Sequence, residues 1–486
     1  MSRQPDHLDA QPFAQPSPSA PHPSGFAPFA TRMVAIGCSQ PAIDAFARQY
    51  GQLSAGATGL ICEAEALPVG PLVDAARLPA AGTAAEAGLE RLVVIKLNGG
   101  LGTSMGLAGP KSLLSVHDQL SFLDILARQI LTQRHRTRTR LPLVLMNSFS
   151  TETDTQLALA AYPELSEQAA IPTSFLQGRV PKVSASDLAP IDWPQDPAKA
   201  WCPPGHGEIY QAISQSGLLR QMLDAGFDTA FISNVDNLGA TVDLAILSEF
   251  RRRSWSFLME VADRTPADRK GGHLARSPAG GLLLRELAQC TAEDLSSFQD
   301  IERHPYFNTN NLWIHLPTLA ELLETQGGFL DLPMIRNEKP VDPVRPGSPR
   351  VYQLESAMGA AIALFPRAAA LRVPRSRFLP VKKTSDLLGL WSDAYALGPD
   401  GALVLKPERG CRAPQVNLDD RYYASMADLA LRFPYGAPSL IRCESLTVSG
   451  DVRFGRDVQL SGAVTLQAPP DAVRHIPDGA NLRGQP

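Results

Sequence analysis

The sequence lacks three features that would assign it to common classes of protein: paired cysteines, an excess of positive charge and long apolar runs. Its six cysteines are scattered singly, with no C-x-x-C pair and no short spacing typical of a zinc site. We interpret them as free thiols of a reducing compartment. The 45 Lys and Arg residues against 49 Asp and Glu residues leave a net charge of -4. This balance does not provide the basic field that attracts nucleic acid, so nucleic acid is not an expected partner.

Apolar runs long enough to cross a membrane are also missing. A membrane helix needs about 20 apolar residues, and Pro366 and Arg367 interrupt the Ala-rich stretch after Ala357. The first thirty residues do not have the basic start and apolar core of a secretory signal. We therefore expect a cytoplasmic protein without a membrane contact. Neither an H-E-x-x-H cluster nor a G-x-S-x-G nucleophile elbow is found, so a hydrolase is not indicated.

What the chain does have is length and apolar content. Its 486 residues, 44% apolar and 19% charged, are enough for about three domains with buried cores. Seven prolines in residues 1–30 predict a disordered Pro-rich tail. The helical spacing of apolar residues such as Phe46 and Tyr50 predicts a helical N-terminal segment over 31–85. A main domain over 86–400 and a C-terminal domain over 401–486 complete the predicted organisation.

The main domain contains short apolar runs that alternate with helical patterns. The runs cover residues 92–97, 143–146 and 230–232, and helical spacing recurs over 208–224 and 241–251. Such alternation predicts a mostly parallel α/β sheet with crossover helices. Ligands of such sheets bind at the carboxyl ends of the strands, which is where glycines and polar residues follow these runs.

The last segment has a different, six-residue apolar period. Leu446, Val452, Val458 and Val464 repeat at this spacing, and a second series follows two residues later. This period is typical of β-helix coils, so we predict a short solenoid over residues 440–468. Two ordinary hairpins are the alternative interpretation.

A glycine-rich loop after the first apolar run carries the clearest chemical signal. It has the sequence L-N-G-G-L-G-T-S-M-G-L-A-G-P-K-S over residues 97–112. A Walker loop needs Gly directly before Lys, but Pro110 intervenes, and the spacing G-x-G-x-x-x-G is one residue longer than the dinucleotide fingerprint. The glycines would still let backbone N–H groups approach phosphate oxygens, and Lys111 would add a positive charge. A structural turn with a solvated lysine is the alternative interpretation.

This loop resembles that of the eukaryotic-type UTP–glucose-1-phosphate uridylyltransferases, also called UDP-glucose pyrophosphorylases. The family pattern is L-N-G-G-L-G-T-x-M-G-x-x-x-P-K-S, and further segments match the family in the same order, up to the terminal coils. These segments are 145–149, 203–210, 234–243, 270–272, 307–313 and 377–382. The resemblance implies a Rossmann-like, GT-A-like nucleotidyltransferase domain over 86–400, with a mixed, mostly parallel sheet, and a small C-terminal left-handed β-helix.

The resemblance also implies a reaction and a cofactor. In this family a sugar 1-phosphate oxygen attacks the α-phosphorus of UTP in line, and pyrophosphate leaves. With glucose 1-phosphate the product is UDP-glucose. Such a transfer requires two anions to be placed side by side and their charge to be neutralised, for which backbone donors, lysines and a metal ion are suited. We therefore expect Mg²⁺ as the cofactor.

The same resemblance identifies the residues around the nucleotide. Lys111 would contact the UTP phosphates and Lys382 the α-phosphate and the sugar phosphate, so these two lysines are the expected catalytic residues. Asp236 would hold Mg²⁺; a turn or helix cap is its alternative role, for which Asp243 is the better candidate. Gln177 would recognise uracil. The other residues expected around the nucleotide are Leu97, Asn98, Gly99, Gly100, Gly205, Asn234 and Val235.

The sugar phosphate and the sugar would lie beside the nucleotide. By resemblance, His206 would contact the sugar phosphate, and Asn310 and the backbone of Gly272 would contact glucose hydroxyls. Asn308 and Asn311 are the alternatives to Asn310, because a small shift in the match would place either of them at the sugar.

Other functions are open from the sequence. A related pyrophosphorylase that makes another UDP-sugar is the nearest alternative. A silent nucleotide-binding protein is a second, although it would be expected to lack Lys111, Asp236 or Lys382, and all three are present. A homo-oligomer that associates through the repetitive edge of the terminal β-helix is an open alternative to a monomer.

Overall fold

Ten strands form one central sheet in the computed structural model, which describes residues 22–82, 86, 88–167, 170–410 and 412–484. The strands are β1 Val73–Asp74, β2 Leu92–Asn98, β3 Leu143–Asn147, β4 Ser174–Leu176, β5 Thr229–Asn234, β6 Phe257–Asp263, β7 His273–Arg276, β8 Leu282–Arg285, β9 Tyr306–His315 and β10 Ala368–Arg372. Their order across the sheet is β1-β10-β6-β9-β5-β2-β3-β4, and β7 and β8 join it as a hairpin on β9.

The sheet is mixed and mostly parallel, as predicted. Strands β5, β2, β3 and β4 run parallel to one another, whereas β9 runs antiparallel to both of its neighbours, β5 and β6. The three predicted apolar runs are β2, β3 and β5. Nearly every residue in them is buried, because helices cover both faces of the sheet, and this explains why the runs show so little polar alternation.

Helices connect the strands and also form part of the N-terminal segment. They are α1 Ala27–Ala35, α2 Gln40–Ser54, α3 Phe122–Thr137, α4 Glu152–Leu159, α5 Glu164–Glu167, α6 Ile209–Gln215, α7 Leu218–Asp224, α8 Leu244–Arg252, α9 Leu295–Phe298, α10 Leu316–Thr325, α11 Thr384–Trp391, α12 Asp420–Tyr423 and α13 Met426–Arg432. The predicted helix over 208–224 is two helices, since Gly217 between them adopts a φ of 75°. The predicted helix over 241–251 begins at Leu244, because the Asp243 carboxylate caps it by accepting two backbone N–H groups.

Short accessory strands lie outside the central sheet. They are Ser115–His117, Leu120–Ser121, Val180–Pro181, Val183–Ser184, Trp201–Cys202, Ile335–Pro340, Arg350–Glu355, Tyr395–Leu397 and Leu403–Leu405. Three of them, Val183–Ser184, Ile335–Pro340 and Arg350–Glu355, form an antiparallel sheet. Within the described ranges, no helix has both the length and the apolar content needed to cross a membrane.

The N-terminal helices correct one predicted boundary. The predicted Pro-rich tail, residues 1–30, has its first 21 residues outside the described part of the chain, but α1 already begins at Ala27. Phe26 and Phe29 are fully buried, and the Phe29 ring packs against Tyr50 of α2 with ring centroids 4.9 Å apart. These aromatic contacts fix the chain before residue 30, so the folded part starts earlier than the proline content indicates. The helical spacing noted around Tyr50 corresponds to α2.

The C-terminal apolar repeat forms parallel coils. The stacked strands are Gln415–Leu418, Ser439–Ser449, Gln459–Gln467 and Asn481–Arg483 in one ladder and Val452–Phe454 with Arg474–Ile476 in another. Leu446 lies opposite Val464, and Val448 lies opposite Leu466, so one coil spans three of the six-residue repeats. The hairpin alternative is wrong, because all of these pairings are parallel and a hairpin is antiparallel. The coils also continue past the predicted end at residue 468.

The apolar core of the coils continues into the main domain. One cluster of buried side chains joins Leu446 and Val464 of the coils to Met105 of the glycine-rich loop, Val235 and Val381. Val235 and Val381 directly precede two of the predicted site residues. Packing of the coils therefore supports the segments that carry the candidate site.

Candidate active site

A cleft of about 440 Å³ lies at the carboxyl edge of β2, β3 and β5. Because these strands are parallel, the polar residues that follow them meet at one edge of the sheet. Most of the predicted nucleotide residues line this cleft. They are Leu97, Gly99, Gly100, Lys111, Gln177, Gly205, Asn234, Val235 and Asp236, with His206 beside them. Met146, Pro203 and Glu355 also line it, although the sequence did not single them out as site residues.

The glycine-rich loop folds back on the end of β2. The Lys111 N–H donates to the Gly100 carbonyl at 3.1 Å, and Leu101 pairs with Pro110 across the loop. Gly106 at the turn has a φ of 71°, a conformation that favours glycine. Gly100 lines the cleft, and a Cβ atom there would meet no atom within 4 Å. The loop therefore brings Lys111 to the strand end and leaves the Gly100 backbone open to a ligand.

Gln177 is packed directly on Gly99. A Cβ atom at Gly99 would lie 2.6 Å from Gln177 Oε1, so glycine is required for this contact. The Gln177 N–H donates to the Asn147 carbonyl at 2.8 Å, which fixes its backbone next to the end of β3. The side-chain amide offers one donor group and one acceptor at the wall of the cleft. This arrangement suits hydrogen bonding to the edge of a nucleobase.

Lys111 and Asp236 form an ion pair in the cleft. Nζ lies 2.5 Å from Oδ2, and the two side chains are 16% and 17% exposed. Nowhere in the described ranges do three or more His, Cys, Asp or Glu side chains gather as a metal site, so Asp236 would be a single protein carboxylate on a cation. One carboxylate together with substrate phosphate oxygens and waters is a common donor set for Mg²⁺. The residues present therefore fit a magnesium ion that arrives with a nucleotide.

Asn98 lies beneath the loop. Its side chain is 1% exposed, and its Nδ2 donates to Asn147 Oδ1 at 2.7 Å and to Thr155 Oγ1 at 2.9 Å. These bonds join the end of β2 to β3 and α4. The structure thus places the Asn98 side chain as a support of the strand end, in contrast to the predicted residues that line the cleft.

His206 is held as a neutral hydrogen-bond donor. Gly205 before it has a φ of 83°, and a Cβ atom there would lie 2.5 Å from the Ser356 carbonyl oxygen. His206 Nδ1 accepts the Met358 N–H at 3.0 Å, so the ring proton is on Nε2. Burial lowers the pKa of His206 to about 4, which keeps the imidazole uncharged near neutral pH. The ring can therefore donate to an anion in the cleft without adding charge.

A β-bulge presents Asn310. The pairing of β6 with β9 skips Thr309 and Asn310, and Asn310 has a φ of 59°. A bulge re-aims the side chain of its extra residue. Asn311 is fully buried, whereas Asn310 is partly exposed and accepts a hydrogen bond from Asn308 Nδ2 at 2.8 Å. Of the three asparagines, this geometry favours Asn310 as the one that faces a ligand.

Gly272, Glu286 and Lys382 lie close to this bulge. The Gly272 carbonyl accepts the Asn308 N–H at 3.0 Å, and a Cβ atom at Gly272 would lie 2.5 Å from the Glu286 carboxyl group. Lys382 Nζ lies 6.0 Å from the centre of the Phe307 ring. Burial raises the pKa of Glu286, and the nearby charge of Lys382 opposes that shift. Glu286 is suited to accept hydrogen bonds from sugar hydroxyls, but it lies outside every matching motif, so no sequence signal could have found it.

Two consecutive residues join the cleft to the bulge. Met358 donates to His206, and a Cβ atom at the next residue, Gly359, would lie 3.1 Å from Asn308 Nδ2. Gly272, Asn310 and Lys382 do not line the cleft themselves. They form a second group of residues that adjoins it.

The two groups together offer positive charge, backbone donors and a single cation ligand. Lys111 and Lys382 supply the charge, the glycine-rich loop supplies the donors, and Asp236 supplies the carboxylate. Such a set stabilises charge that moves between phosphate oxygens during a direct transfer.

Comparison with known proteins gives one consistent result. A family model described as UTP–glucose-1-phosphate uridylyltransferase matches residues 44–461. Among the most similar relatives with that name, the protein of Hordeum vulgare is 41% identical over 399 residues, which cover 82% of this chain and 81% of the relative. The protein of Solanum tuberosum is 42% identical over 394 residues, which cover 81% of this chain and 80% of the relative.

Solved structures of similar proteins share the fold. A UDP-glucose pyrophosphorylase variant from Leishmania major, in complex with UDP-glucose, has a TM-score of 0.91 at 42% identity and covers 95% of this chain and 98% of its own. The UDP-glucose phosphorylase of Trypanosoma brucei has a TM-score of 0.88 at 42% identity and covers 95% of this chain and 99% of its own. The similarity thus extends over both the central sheet and the C-terminal coils.

Proposed function

The chain belongs to the UTP–glucose-1-phosphate uridylyltransferase family, a family of nucleotidyltransferases, and we propose that it converts UTP and glucose 1-phosphate into UDP-glucose and pyrophosphate. The cleft in which the glycine-rich loop, Lys111, Asp236 and Gln177 meet is the observation that carries this proposal. The similarity to the L. major protein, which binds UDP-glucose, supports glucose as the sugar.

Uridine would bind at the wall formed by Gln177. The Gln177 amide and the Gly205 backbone would pair with the uracil edge, while the backbone of 97–100 and of Asn234 and Val235 would hold the ribose and phosphates. Gln177 rests on Gly99, so the group that reads the base and the loop that holds the phosphates are one packed unit. This packing would fix the distance between base and phosphate recognition.

The transfer would occur between the two lysines. An oxygen of glucose 1-phosphate forms a bond to the α-phosphorus of UTP, and the bond to the bridging oxygen breaks with its electron pair on pyrophosphate. Two unit charges 4 Å apart repel by about 4 kcal/mol at an effective dielectric constant of 20, so more than one cation is needed to bring the phosphates together. Lys111 and Lys382 would offset this repulsion, and His206 would donate to the sugar phosphate.

Asp236 is the residue that would hold Mg²⁺. When bound, the ion would neutralise charge on the phosphate oxygens. The Lys111–Asp236 ion pair holds this carboxylate in place at the mouth of the loop. On nucleotide binding, Lys111 would gain phosphate oxygens as partners, which leaves Asp236 available to the cation.

Product formation from a panel of substrates tests the proposal. The full chain is incubated with MgCl₂ and UTP, CTP, ATP or GTP, each with the 1-phosphate of glucose, galactose or N-acetylglucosamine, and the nucleotide sugar is quantified. We expect UDP-glucose to form much faster than any other product. A preference for another sugar would identify the related UDP-sugar enzyme. No product from folded protein that still binds UTP would identify a silent nucleotide-binding protein.

The proposal also includes self-association through the C-terminal coils and a cellular location. The strand Asn481–Arg483 ends the parallel ladder and leaves one edge unpaired within the described chain, so the coils offer an edge for a second copy. Light scattering should show a dimer or larger species that Leu482→Pro dissociates; a monomer at every concentration would contradict this part. A cytoplasmic location is proposed from the cysteines, which are scattered singly along the sequence.

A further inference from the structure

A buried polar network lies between the central sheet and the segment that leads to Lys382. Its five side chains are at most 7% exposed, and none of them lines the nucleotide cleft. They are Asn237, Glu260, Asn311, Trp313 and Arg377. Buried polar groups of this kind hold one fixed arrangement when every member has a partner.

Asn237 uses both ends of its amide in this network. Its Nδ2 donates to Asn311 Oδ1 and to the Arg377 carbonyl, both at 3.1 Å, and its Oδ1 accepts the Leu379 N–H at 2.8 Å. Asn237 also pairs with Pro380 as an isolated bridge. One side chain therefore binds two backbone groups of the 377–380 segment, the Arg377 carbonyl and the Leu379 N–H.

Glu260 anchors the other side of the network. Its carboxylate is fully buried and accepts the Arg377 guanidinium through two bonds of 2.7 Å, together with the indole N–H of Trp313 at 2.9 Å and Asn311 Nδ2 at 3.0 Å. The ion pair compensates both charges, so Arg377 is fixed to β6. The Arg377 carbonyl that Asn237 binds is thereby held in place as well.

Asn237 connects the chain segments that carry two site residues. It directly follows Asp236, and the Leu379 N–H that it binds lies three residues before Lys382. We propose that Asn237 is a positioning residue that sets the separation between Asp236 and Lys382, and hence between the nucleotide and the sugar phosphate. This inference rests on the roles of Asp236 and Lys382 in the proposed function. Asn311 extends the network to the bulge that presents Asn310, because it is the next residue of β9.

The kinetic consequence differs from that of a simple loss of stability. If Asn237 acts by placing Lys382, its removal slows the chemical step while UTP binding is retained, because the cleft walls are formed by other residues. The effect of removing Asn237 on this rate should also depend on the presence of the Lys382 ammonium group. A structural role would lower the rate equally with or without that group.

A double-mutant cycle on turnover at saturating substrates separates these cases. The variants are Asn237→Ala, Lys382→Ala and the double variant, with melting temperature and UTP affinity measured for each. We expect Asn237→Ala to lower kcat by at least ~10-fold, as for a misplaced catalytic group, with UTP affinity within a factor of about three. In the Lys382→Ala background the same change should lower kcat by less than about threefold.

Several outcomes would overturn the inference. If Asn237→Ala lowers kcat by the same factor in the wild-type and Lys382→Ala proteins, or leaves kcat unchanged, Asn237 does not position Lys382. A normal kcat for Lys382→Ala alone removes the assigned role of Lys382 and the inference with it, and this result is distinguishable because it appears in the single variant. If Asn237→Ala does not fold, the same double-mutant cycle is measured with Asn237→Ser, which keeps a hydroxyl acceptor.

Ser392→Ala provides the matched control. Ser392 is 1% exposed and bonds two backbone groups, the Gly389 carbonyl at 2.7 Å and the Ala394 N–H at 3.3 Å, without a contact to the candidate site. Its loss should affect the melting temperature without a selective fall in kcat. An equal fall in kcat for Ser392→Ala would show that any buried hydrogen-bond loss produces the effect, and would overturn the inference.

Discussion

Lys382 is an exposed lysine beside the buried Phe307 ring, and we therefore expect its role to be chemical rather than structural. We predict that Lys382→Ala lowers kcat by about 10²–10³-fold, because it removes a cation that stabilises charge in the transition state. Since no core packing is lost, the urea midpoint should not change. Steady-state kinetics and urea unfolding measure the two effects.

The neighbouring lysine serves as the control for this prediction. Lys383 is also exposed, and it pairs with Asp420 at 2.6 Å on the surface. Lys383→Ala should keep kcat within about twofold, as expected when an exposed ion pair is removed. A similar loss in both variants would show that charge in this region, and not the Lys382 position, governs the rate.

His206 is expected to act without titrating near neutral pH. Burial lowers its pKa to about 4, below the ordinary value, so it is neutral above about pH 5 and the Nε2 proton remains available. We predict that His206→Ala lowers kcat/KM for glucose 1-phosphate by about tenfold, the loss of one hydrogen bond to a charged group. The pH profiles of the two proteins between pH 5.5 and 8 should be parallel.

The shape of the two profiles decides between a neutral and a charged histidine. Other groups, including the sugar phosphate itself, titrate in this range and affect both proteins alike. If the wild-type profile has a limb near pH 6.5 that His206→Ala lacks, His206 acts as a cation and the assigned neutral role is wrong.

At the scale of elements, the glycine-rich loop and the end of β4 act together through the Gly99–Gln177 contact. A methyl group at Gly99 would lie 2.6 Å from Gln177 Oε1, so Gly99→Ala must push the glutamine away from its place. We predict an increase of about tenfold in the UTP dissociation constant, the loss of one base contact, measured by calorimetric titration.

Gly109→Ala tests whether any alanine in the loop has this effect. A Cβ atom at Gly109 would have Asp154 Oδ2 as its nearest neighbour, at an ordinary contact distance of 3.7 Å. This variant should bind UTP normally. Normal UTP affinity in Gly99→Ala as well would contradict the coupling of the loop to Gln177.

Local sequence patterns predicted some elements and missed others for physical reasons. Strands β2, β3 and β5 are contiguous apolar runs because both of their faces are buried, so their positions follow from composition alone. The bulge at Asn310 depends on how β9 pairs with β6, and a pairing shift leaves no mark in a single sequence. The start of α1 was missed because the burial of Phe26 depends on contacts with a later helix.

At the scale of the whole molecule, the coils and the main domain share a core. Leu446 is fully buried in the cluster that also contains Met105, Val235 and Val381. We predict that Leu446→Ala lowers the free energy of unfolding by about 2–5 kcal/mol. In urea, loss of activity and loss of circular dichroism should coincide in one transition.

The exposed Val404 provides the comparison. It is 45% exposed, so Val404→Ala should change the free energy of unfolding by less than about 0.5 kcal/mol. Two separate transitions, with activity retained after the coils unfold, would show that the coils are an independent unit.

The candidate site shows which functional residues can be predicted from a single sequence and which cannot. The loop and Asp236 could be named because they stand in motifs at strand ends, Gln177 could be named by resemblance, and all of them meet in one cleft. Glu286 and Asn237 could not, because they come together with the other site residues through β8, β9 and the 377–380 segment, which are distant along the chain. Resemblance thus named most of the groups that would touch the substrates, and the structure was needed for Glu286 and for Asn237, which would hold other groups in place.

Pyrophosphate release from UTP, MgCl₂ and glucose 1-phosphate, compared between the wild-type chain and Gly100→Val, is the most direct measurement. Gly100 lines the cleft and a Cβ atom there would meet no atom within 4 Å, so we expect valine to leave the fold intact and to occupy the space of the phosphates. The proposed function requires rapid release by the wild type, and we expect a rate at least ~100-fold lower for Gly100→Val at the same melting temperature. Equal rates in the two proteins, or no release by folded wild-type protein, would contradict it.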